Sequence, residues 1–432
     1  MTAATEPPPR IATLDIVRGV AVMGILAMNI VGFAMPFQAY MNPLAYGLQG
    51  TADFVSWAAS FVFVDGKMRG LFSFLFGASM LLVIERAEAG GQPAAAIHYR
   101  RMFWLLVFGL IHLYLIWFGD ILVGYALVGM IAWFFRNKEP GTLIRWGIGL
   151  LAVQLMVFAA MAAGAFYLRD AAAAPGAAAD VVKEWQILEG QFGVLGGGPL
   201  AAKLGLFGGD YGSILEYRLS RHAVAPLKGL MMFGWETLAY FLFGMVALKN
   251  GFLRGGWSDA AYRKTALIGF GIGVPAYALL AWILVRDGFS VPMVLAIVMG
   301  ATVPFRPLMV VATAALIVLA TRGGGALVGR IAAAGRAAFT NYLGTSLIMT
   351  SLFYGYGAGL FGQLSRAELW LPVAAMWVLI LLWSKPWLDR FQYGPLEWLW
   401  RSLSRGTMQP MRRRLTPLPL SAGEGGAREA GG

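Results

Sequence analysis

Residues 14–35 read LDIVRGVAVMGILAMNIVGFAM, an almost unbroken apolar run near the start of the chain. As an α-helix rising 1.5 Å per residue it would be about 33 Å long, enough to cross the ~30 Å hydrocarbon core of a bilayer. Arg10 precedes the run, as in a signal peptide, but Asp15 and Arg18 lie inside it and no small-residue cleavage site follows. The stretch therefore predicts an uncleaved first transmembrane helix.

Composition extends this prediction to the whole chain. Of the 432 residues, 59% are hydrophobic and only 13% are charged, whereas soluble domains carry roughly 25% charged residues. The apolar runs approach the length of a spanning helix and lack the alternation of β-barrel strands. The predicted fold class is all-α, a polytopic helical bundle whose surrounding partner is the lipid bilayer.

The apolar runs predict about ten transmembrane helices in a single transmembrane domain, residues 1–405, followed by a disordered cytoplasmic tail, residues 406–432. Two shorter runs, near 52–65 and 290–304, are flanked by turn-forming residues and predict half-helices or re-entrant segments. The later spans make up a C-terminal half, residues 231–405. The predicted spans are 14–35, 69–86, 102–118, 120–135, 143–167, 231–248, 265–286, 307–320, 338–361 and 368–386.

The charged residues set the expected orientation. The formal charge is +12, and its bases cluster in short loops on one side of the predicted spans, the side that the positive-inside rule assigns to the cytoplasm. Both termini are then cytoplasmic, in a bacterial inner membrane. No basic face interleaved with exposed aromatic residues is visible, so we expect no nucleic-acid partner.

The opposite side receives the longest connection, residues 168–228, as an extracytoplasmic loop. It contains GVLGGGPL and LFGGDYGS, where the glycines predict little stable helix. A mobile cap over the outer face and an unstructured connector are both consistent with this composition.

Polar side chains inside the spans are costly, at roughly 2.5–3.5 kcal/mol for a charge, so each needs a partner or a function. Asp15 and Arg18 are three residues apart, which predicts a structural ion pair on one helix face. Asn29 follows about 21 Å further along the same helix, either as a contact between helices or as a ligand-binding amide. Glu236 is a candidate counter-charge for a base in the bundle.

The most informative stretch is FVFVDGKMRGLFSFLFGASM, in which Asp65, Lys67 and Arg69 fall at the joint between a half-helix and a full span. Broken backbone at membrane depth is tolerated where it is buried in protein or lines a wet cavity. The two bases there would bind a carboxylate, phosphate or pyrophosphate, with Arg69 offering a bidentate fork. If the joint lies among the outer headgroups, the same charges are interfacial anchors.

His112 lies well inside a predicted span, and Asp120 follows it at an expected helix break. An imidazole can accept a proton from a nucleophile near neutral pH, and Asp120 would orient the ring. A hydrogen-bonded structural histidine is the alternative. Asn341 shares a helix face with Thr345, and this polar stripe predicts either a helix interface or a substrate path.

Several other kinds of chemistry are not indicated. The chain has no cysteine, which removes disulfides, thiolate metal ligands and cysteine nucleophiles. It also lacks a Walker loop, an HExxH motif and a dinucleotide fingerprint opening a strand–helix unit. We therefore expect no metal site and no bound cofactor.

A family resemblance rests on five ordered stretches: LDIVRGVAVMGILAMNI, DGKMRGLFSFLFGAS, GLIHLYLIWFGDILVGYAL, GRAAFTNYLGTSL and RFQYGPLEWLWRSL. Over nearly all of residues 10–405 the chain resembles the YeiB-like bacterial membrane proteins, whose C-terminal part is the domain of unknown function DUF418. These proteins are distantly similar to membrane acyltransferases, including the heparan-alpha-glucosaminide N-acetyltransferases, through the LDxxRG start and the Asn that follows. The heparan enzymes use a histidine close after that asparagine, but GFAMPFQAYMNPLAYG has none, so His112 would have to act from another helix.

The expected function is acyl transfer within the membrane. A cytoplasmic acyl-CoA, the candidate co-substrate, would donate its acyl group to a hydroxyl or amine of a small-molecule, glycan or lipid acceptor. His112 would be the general base and Asp120 its orienting partner, and substrate would contact Asn29, Asp65, Lys67, Arg69 and Asn341. The alternative is a secondary transporter or exporter whose path the same groups line. The sequence leaves the oligomeric state open.

Overall fold

The computed structural model describes residues 11–221 and 223–412. Apart from an isolated bridge between Phe391 and Arg412, the described residues form helices, turns and irregular connections, which confirms the predicted all-α class. The first helices are α1 (Ala12–Ala34), α2 (Gln38–Met41), α3 (Thr51–Phe63), α4 (Lys67–Ala89), α5 (Ala94–Ile111), α6 (Leu122–Ala132) and α7 (Pro140–Ala173). Three short helices follow: α8 (Ala179–Phe192), α9 (Gly197–Phe207) and α10 (Tyr211–Arg221). The last are α11 (Ala225–Lys249), α12 (Asp259–Asp287), α13 (Val291–Val294), α14 (Arg306–Thr321), α15 (Ala326–Arg336), α16 (Ala338–Phe353), α17 (Trp370–Arg390) and α18 (Pro395–Arg405).

Among the described residues, seven helical segments are long and apolar enough to cross a bilayer. They are α1, α3 with α4, α5 with the π-helical turn His112–Ile116, α7, α11, α12 and α17. An eighth arises if Val291–Ala301 and α14, bent by 53° against each other, count as one span. The two remaining predicted spans are helical but short, because Leu122–Phe135 ends before Arg136 and α16 ends where a glycine-rich turn begins. The expected ten full-length spans are therefore seven or eight.

Both predicted half-helices mark interruptions in longer elements. The first is α3, which continues into α4 as one 39-residue element, Thr51–Ala89. Gly66 interrupts this element with a φ of 73°, a conformation that glycine adopts without steric cost. The second is α13 with the π-helical turn Leu295–Ala301, which bends into α14. Asp65 lies at the first interruption, and Arg306 lies directly after the second.

The connection 168–228 is largely helical, so the prediction of little stable helix was wrong. It contains the end of α7, then α8, α9 and α10, then the start of α11. Hydrogen bonds tie these helices to the rest of the bundle: Arg218 donates to the Leu115 carbonyl at 3.0 Å, and Gln38 donates to the Gly190 carbonyl at 2.6 Å. Tertiary contacts of this kind stabilise short helices that would be marginal alone.

The centre of the bundle depends on a close crossing of α4 and α11. Gly77 of α4 lies against the backbone of α11, and Gly244 of α11 lies against the backbone of α4, so a β-carbon at either position would overlap it. Small residues at a crossing allow two helices to pack backbone to backbone. Arg69 and Glu236 each lie about 12 Å before this crossing on their own helix. The crossing therefore positions these two side chains beside each other.

Basic residues from several connections lie together at one end of the bundle. At one end Lys249 donates to the carbonyls of Arg136 and Lys138 at 3.0 and 2.9 Å, and the indole of Trp400 in α18 donates to the Arg101 carbonyl at 3.0 Å. We call this end the basic face. The opposite end carries α8, α9 and α10, and we call it the loop face. Residues 413–432, most of the predicted tail, lie outside the described residues.

Candidate functional site

A cavity of about 480 Å³ extends into the bundle from the loop face, within the 300–1,000 Å³ typical of small-molecule sites. Its walls are mostly apolar, and α1, α4, α6, α11 and both π-helical turns are among the elements that line it. Four charged side chains line it: Asp65, Arg69, Asp120 and Arg306. π-Helical turns recur at functional sites, and here each one contributes to the wall of the same cavity.

A buried ion triad forms one side of the cavity. The Glu236 carboxylate is completely buried and pairs with Arg69 through Oε2. Its Oε1 accepts a bond of 2.6 Å from Arg306 Nη1, and Arg306 Nη2 donates to Thr302 at 2.5 Å. Two guanidinium groups thus share one carboxylate, which leaves a formal excess of one positive charge. The guanidinium groups of Arg69 and Arg306 can bind an anionic or carbonyl-bearing ligand, while Asp65 and Asp120 bring negative charge to the same cavity.

Asp65 and Tyr40 extend the charged wall. Burial raises the pKa of Tyr40, and the Asp65 carboxylate raises it further, while the positive charges of Arg69 and Arg306 lower it. The phenol of Tyr40, in the short helix α2, lines the same cavity as these three charges. Tyr40 is therefore expected to stay neutral and to act as a hydrogen-bonding group toward a ligand in the cavity.

Lys67 does not belong to the cavity wall, which corrects its predicted role as an anion-binding group. The ammonium donates to the Phe61 carbonyl and lies 3.2 Å from the centroid of the Tyr277 ring. The side chain is completely buried in this arrangement. Because Lys67 and Arg69 are two residues apart at the start of α4, they leave the helix in different directions. Only Arg69 faces the cavity.

His112 and Asp120 form a hydrogen-bonded pair beside the cavity. His112 Nδ1 lies 2.7 Å from Asp120 Oδ1, and Asp120 Oδ2 accepts a 2.7 Å bond from the Val123 amide. A proton on Nδ1 would therefore point at the carboxylate, which leaves Nε2 as the basic atom. That Nε2 atom is buried and has no hydrogen-bond partner among the residues that the structure describes. Asp120 lines the cavity, and the imidazole lies behind it.

The remaining predicted residues fall in three places. Asn29 lines the loop-face cavity from α1. Arg18 lies 3.1 Å from Asp15 and donates to Ser79 at 2.6 Å, away from that cavity. Asn341 lines neither cavity, and its predicted contact with substrate is therefore corrected.

Asn341 instead links three helices. Its Nδ2 donates to the Ala334 carbonyl at 3.0 Å and to Ser384 at 3.2 Å, and its Oδ1 accepts a 2.9 Å bond from the Trp383 indole. These bonds join α15, α16 and α17. They correspond to the helix interface that the sequence left as the alternative to a substrate path.

A second cavity, of about 260 Å³, extends from the basic face and is lined by Arg18, Arg86 and Arg101 among others. Tyr125 of α6 lines both cavities. Its hydroxyl lies 2.6 Å from Ser73 Oγ and donates to the Arg69 carbonyl at 3.2 Å. Tyr125 therefore belongs to a thin layer that separates the two cavities.

His112 belongs to the same layer. Its neighbour Asp120 lines the loop-face cavity, and Tyr342, whose ring centroid is 5.2 Å from that of His112, lines the basic-face cavity. The Tyr342 hydroxyl also accepts the amide of Ile121 at 3.3 Å. We call Tyr125, His112, Asp120 and Tyr342 the partition. The imidazole thus lies between two cavities that extend from opposite faces.

Sequence reasoning missed Arg306 and Tyr40. Arg306 lies directly before the predicted span 307–320, and a lone arginine between two apolar segments is a signal of a buried partner. Tyr40 carried no such signal, because its neighbourhood depends on the folding of α2 against α1 and α8. The expected counter-charge role of Glu236 is present, with two bases where the sequence indicated one.

Residues 247–407 match the family model described as a protein of unknown function, DUF418. The chain is 33% identical over 406 residues to the uncharacterised protein YeiB of Escherichia coli K12, and the match covers 91% of this chain and 96% of YeiB. It is 31% identical over 428 residues to the uncharacterised protein YxaH of Bacillus subtilis strain 168, covering 94% of this chain and 96% of YxaH. No solved structure matches the chain.

Proposed function

The chain belongs to the YeiB-like family of DUF418 membrane proteins, and within that family we propose that it is a membrane-embedded acyltransferase. The supporting observation is the His112–Asp120 pair in the partition, with one cavity on either side. A donor and an acceptor can then approach the same imidazole from opposite faces. In this proposal the donor is an acyl-CoA at the basic face and the acceptor is a hydroxyl or amine in the loop-face cavity.

The chemistry follows from the tautomer that Asp120 favours. His112 Nε2 takes the proton of the acceptor O–H or N–H as the acceptor atom attacks the thioester carbonyl. The carbonyl oxygen becomes an oxyanion, and the guanidinium groups of the ion triad, with the Asn29 amide, stabilise it. The C–S bond then breaks, and the thiolate takes the proton from His112 to give free CoA and the acylated acceptor. Leu113 and Trp117, which line the cavity beside the imidazole, have to shift for the acceptor to reach Nε2.

The orientation is part of the same proposal. The basic face faces the cytoplasm of a bacterial inner membrane, because short basic loops stay on the cytoplasmic side. Both termini are then cytoplasmic, and the loop face with α8, α9 and α10 is extracytoplasmic. A fluorescent protein fused after Gly432 should be fluorescent, and an alkaline phosphatase fused there should be inactive; the reverse result contradicts this orientation.

The test of acyl transfer is release of thiol from an acyl-CoA. Protein in vesicles of total bacterial lipid, which supply hydroxyl and amine acceptors, is incubated with acetyl-CoA or palmitoyl-CoA. Because the chain has no cysteine, a thiol reagent detects only CoA. We expect His112→Gln to lower the rate by about 10²–10⁴-fold, the usual contribution of a general base, and mass spectrometry should find an acylated acceptor.

A matched control lies on the same π-helical turn. Tyr114, which is half-buried, donates to the Ala223 carbonyl at 2.9 Å and does not line either cavity. Tyr114→Phe should keep the wild-type rate. Folded His112→Gln protein that releases CoA as fast as wild type would overturn the assignment of the base.

One observation also favours a transporter as the second candidate: two cavities extend from opposite faces and are separated by few side chains. Alternating access requires such an arrangement. Sealed vesicles distinguish the two functions, since a transporter moves a labelled solute across the membrane with its mass unchanged, and a transferase changes the mass of the acceptor. Tyr125→Ala should raise the rate of transport if the partition is a gate.

A further inference from the structure

The basic-face cavity has the composition of a binding site for a phosphate-bearing amphiphile. Its lining includes two carboxylates, Asp15 and Glu397, and five arginines, a formal excess of three positive charges. The arginines are Arg18, Arg86, Arg101, Arg336 and Arg401. They come from α1, α4, α5, α15 and α18, so the fold collects on one cavity bases that are far apart in the sequence.

Neither carboxylate offers much negative charge to oppose an anion. Asp15 pairs with Arg18 at 3.1 Å. Glu397 accepts the amides of Phe339 and Thr340 at 2.7 and 3.1 Å, and the Thr340 hydroxyl at 2.6 Å. Burial also raises the pKa of Glu397. The cavity therefore presents mainly guanidinium groups, the side chains best suited to bidentate phosphate recognition.

The far end of the cavity is apolar. Phe72 and Leu75 of α4 and Leu122 of α6 line it. Phe72 and Arg86 lie on the same helix about 21 Å apart. The cavity thus runs from a cationic mouth to an apolar end at the partition, near Tyr125 and Tyr342. A ligand with one charged head and one apolar chain matches both ends.

Helix α18 builds part of the mouth. Arg101 lies over the Trp400 ring at 4.2 Å, and the Trp400 indole donates to the Arg101 carbonyl. This contact holds the guanidinium in a defined place and covers one face of it, so its edge remains the surface for hydrogen bonds. Helix α18 therefore supports one side of the cavity mouth.

We propose that the basic-face cavity binds an amphiphile through a phosphate-bearing head at Arg18, Arg86 and Arg101, with its apolar chain directed toward the partition. An acyl-CoA and an anionic phospholipid share this chemistry. With acyl-CoA as the ligand, the proposal rests on the proposed function and adds to it the site where the acyl donor binds. It does not depend on turnover, because binding can be measured alone.

The experiment measures binding of CoA and acetyl-CoA to full-length protein in phosphatidylcholine nanodiscs by calorimetry. Native mass spectrometry of the same protein, purified from bacterial membranes, reports retained anionic phospholipid. Arg101→Gln and Arg18→Gln should each weaken binding about tenfold or more, as expected for a lost charge-assisted bond. Arg86 is exposed, so Arg86→Gln keeps the test available if the more buried variants do not fold.

Arg263→Gln is the matched control, because Arg263 is an exposed arginine paired with Asp259 near the basic face and does not line the cavity. It should bind like wild type. Binding of CoA that depends on the three arginines supports the site with a soluble donor as its ligand, and arginine-dependent retention of phospholipid supports it with a lipid ligand. Binding that is absent, or equal in all variants, overturns the proposal.

The two proposals fail in different ways. Arginine-dependent binding without thiol release leaves this site standing and removes acyl transfer. Thiol release together with binding that does not depend on the three arginines leaves acyl transfer standing and removes this site.

Discussion

Glu236→Gln should be among the most destabilising conservative substitutions in the chain. The carboxylate is completely buried and accepts a charge-assisted bond from each of Arg69 and Arg306. At roughly 1.5–3 kcal/mol per bond to a charged group, the loss is about 3–6 kcal/mol. Interhelical bonds in membrane proteins fall at the low end of such ranges, so we expect about 3 kcal/mol. Most of it reflects two guanidinium groups left buried without a counter-charge.

The assay is equilibrium unfolding by dodecyl sulfate in mixed micelles, followed by tryptophan fluorescence. The exposed pair of Lys385 and Asp389 is the control, because its 2.8 Å distance is also within the range of a charge-assisted hydrogen bond. Asp389→Asn should cost less than about 1 kcal/mol, as surface pairs do. Adding Arg306→Gln to Glu236→Gln should cost less than the sum of the single changes, since the double variant no longer buries the unpaired charge of Arg306. Equal stabilities of Glu236→Gln and Asp389→Asn would refute this reasoning.

Two further outcomes are expected. Asn341→Leu removes three bonds among α15, α16 and α17 and should lower the free energy of unfolding by about 1–2 kcal/mol. Thiol release per folded molecule should stay unchanged. A loss of activity without a loss of stability would indicate that Asn341 contacts the substrate. Burial raises the pKa of Glu397, so the docking of α18 is strongest below the pKa that Glu397 has in the unfolded chain and weakens as the pH rises through its pKa in the folded protein. Hydrogen exchange of α18, corrected for intrinsic rates, should therefore be slower at pH 5 than at pH 8. Glu397→Gln should remove the difference.

The sequence predicted most of the secondary structure because the bilayer allows few alternatives. A long apolar run has to be helical to satisfy its backbone, and each of the ten predicted spans does contain a helix. The prediction of little stable helix in the glycine-rich connection 168–228 was wrong for the opposite reason. Its helices depend on contacts with the bundle, such as the bond from Arg218 to the Leu115 carbonyl, and local composition carries no record of such contacts.

Part of the candidate site could be predicted from the cost of burying charge. That argument selected Asp65, Arg69 and Asp120, all of which line the loop-face cavity. The same argument failed for Lys67, because the cost of burying a charge does not indicate the direction in which the side chain points. Once α4 is known to begin at Lys67, helical periodicity separates Lys67 from Arg69. The missing information was the first residue of one helix.

The difference between the predicted and the observed number of spans has its cause next to the partition. The runs 102–118 and 120–135 predict two complete crossings, but the helical part of the second, Leu122–Phe135, is too short to cross alone. The non-helical residues between the two helical parts, Trp117 to Ile121, therefore lie within the bundle instead of at its surface. Irregular backbone at that depth is stable only against protein or a cavity, and here Trp117 to Ile121 line the loop-face cavity. Because the helical part Leu122–Phe135 is short, Asp120 lies beside His112 between the two cavities.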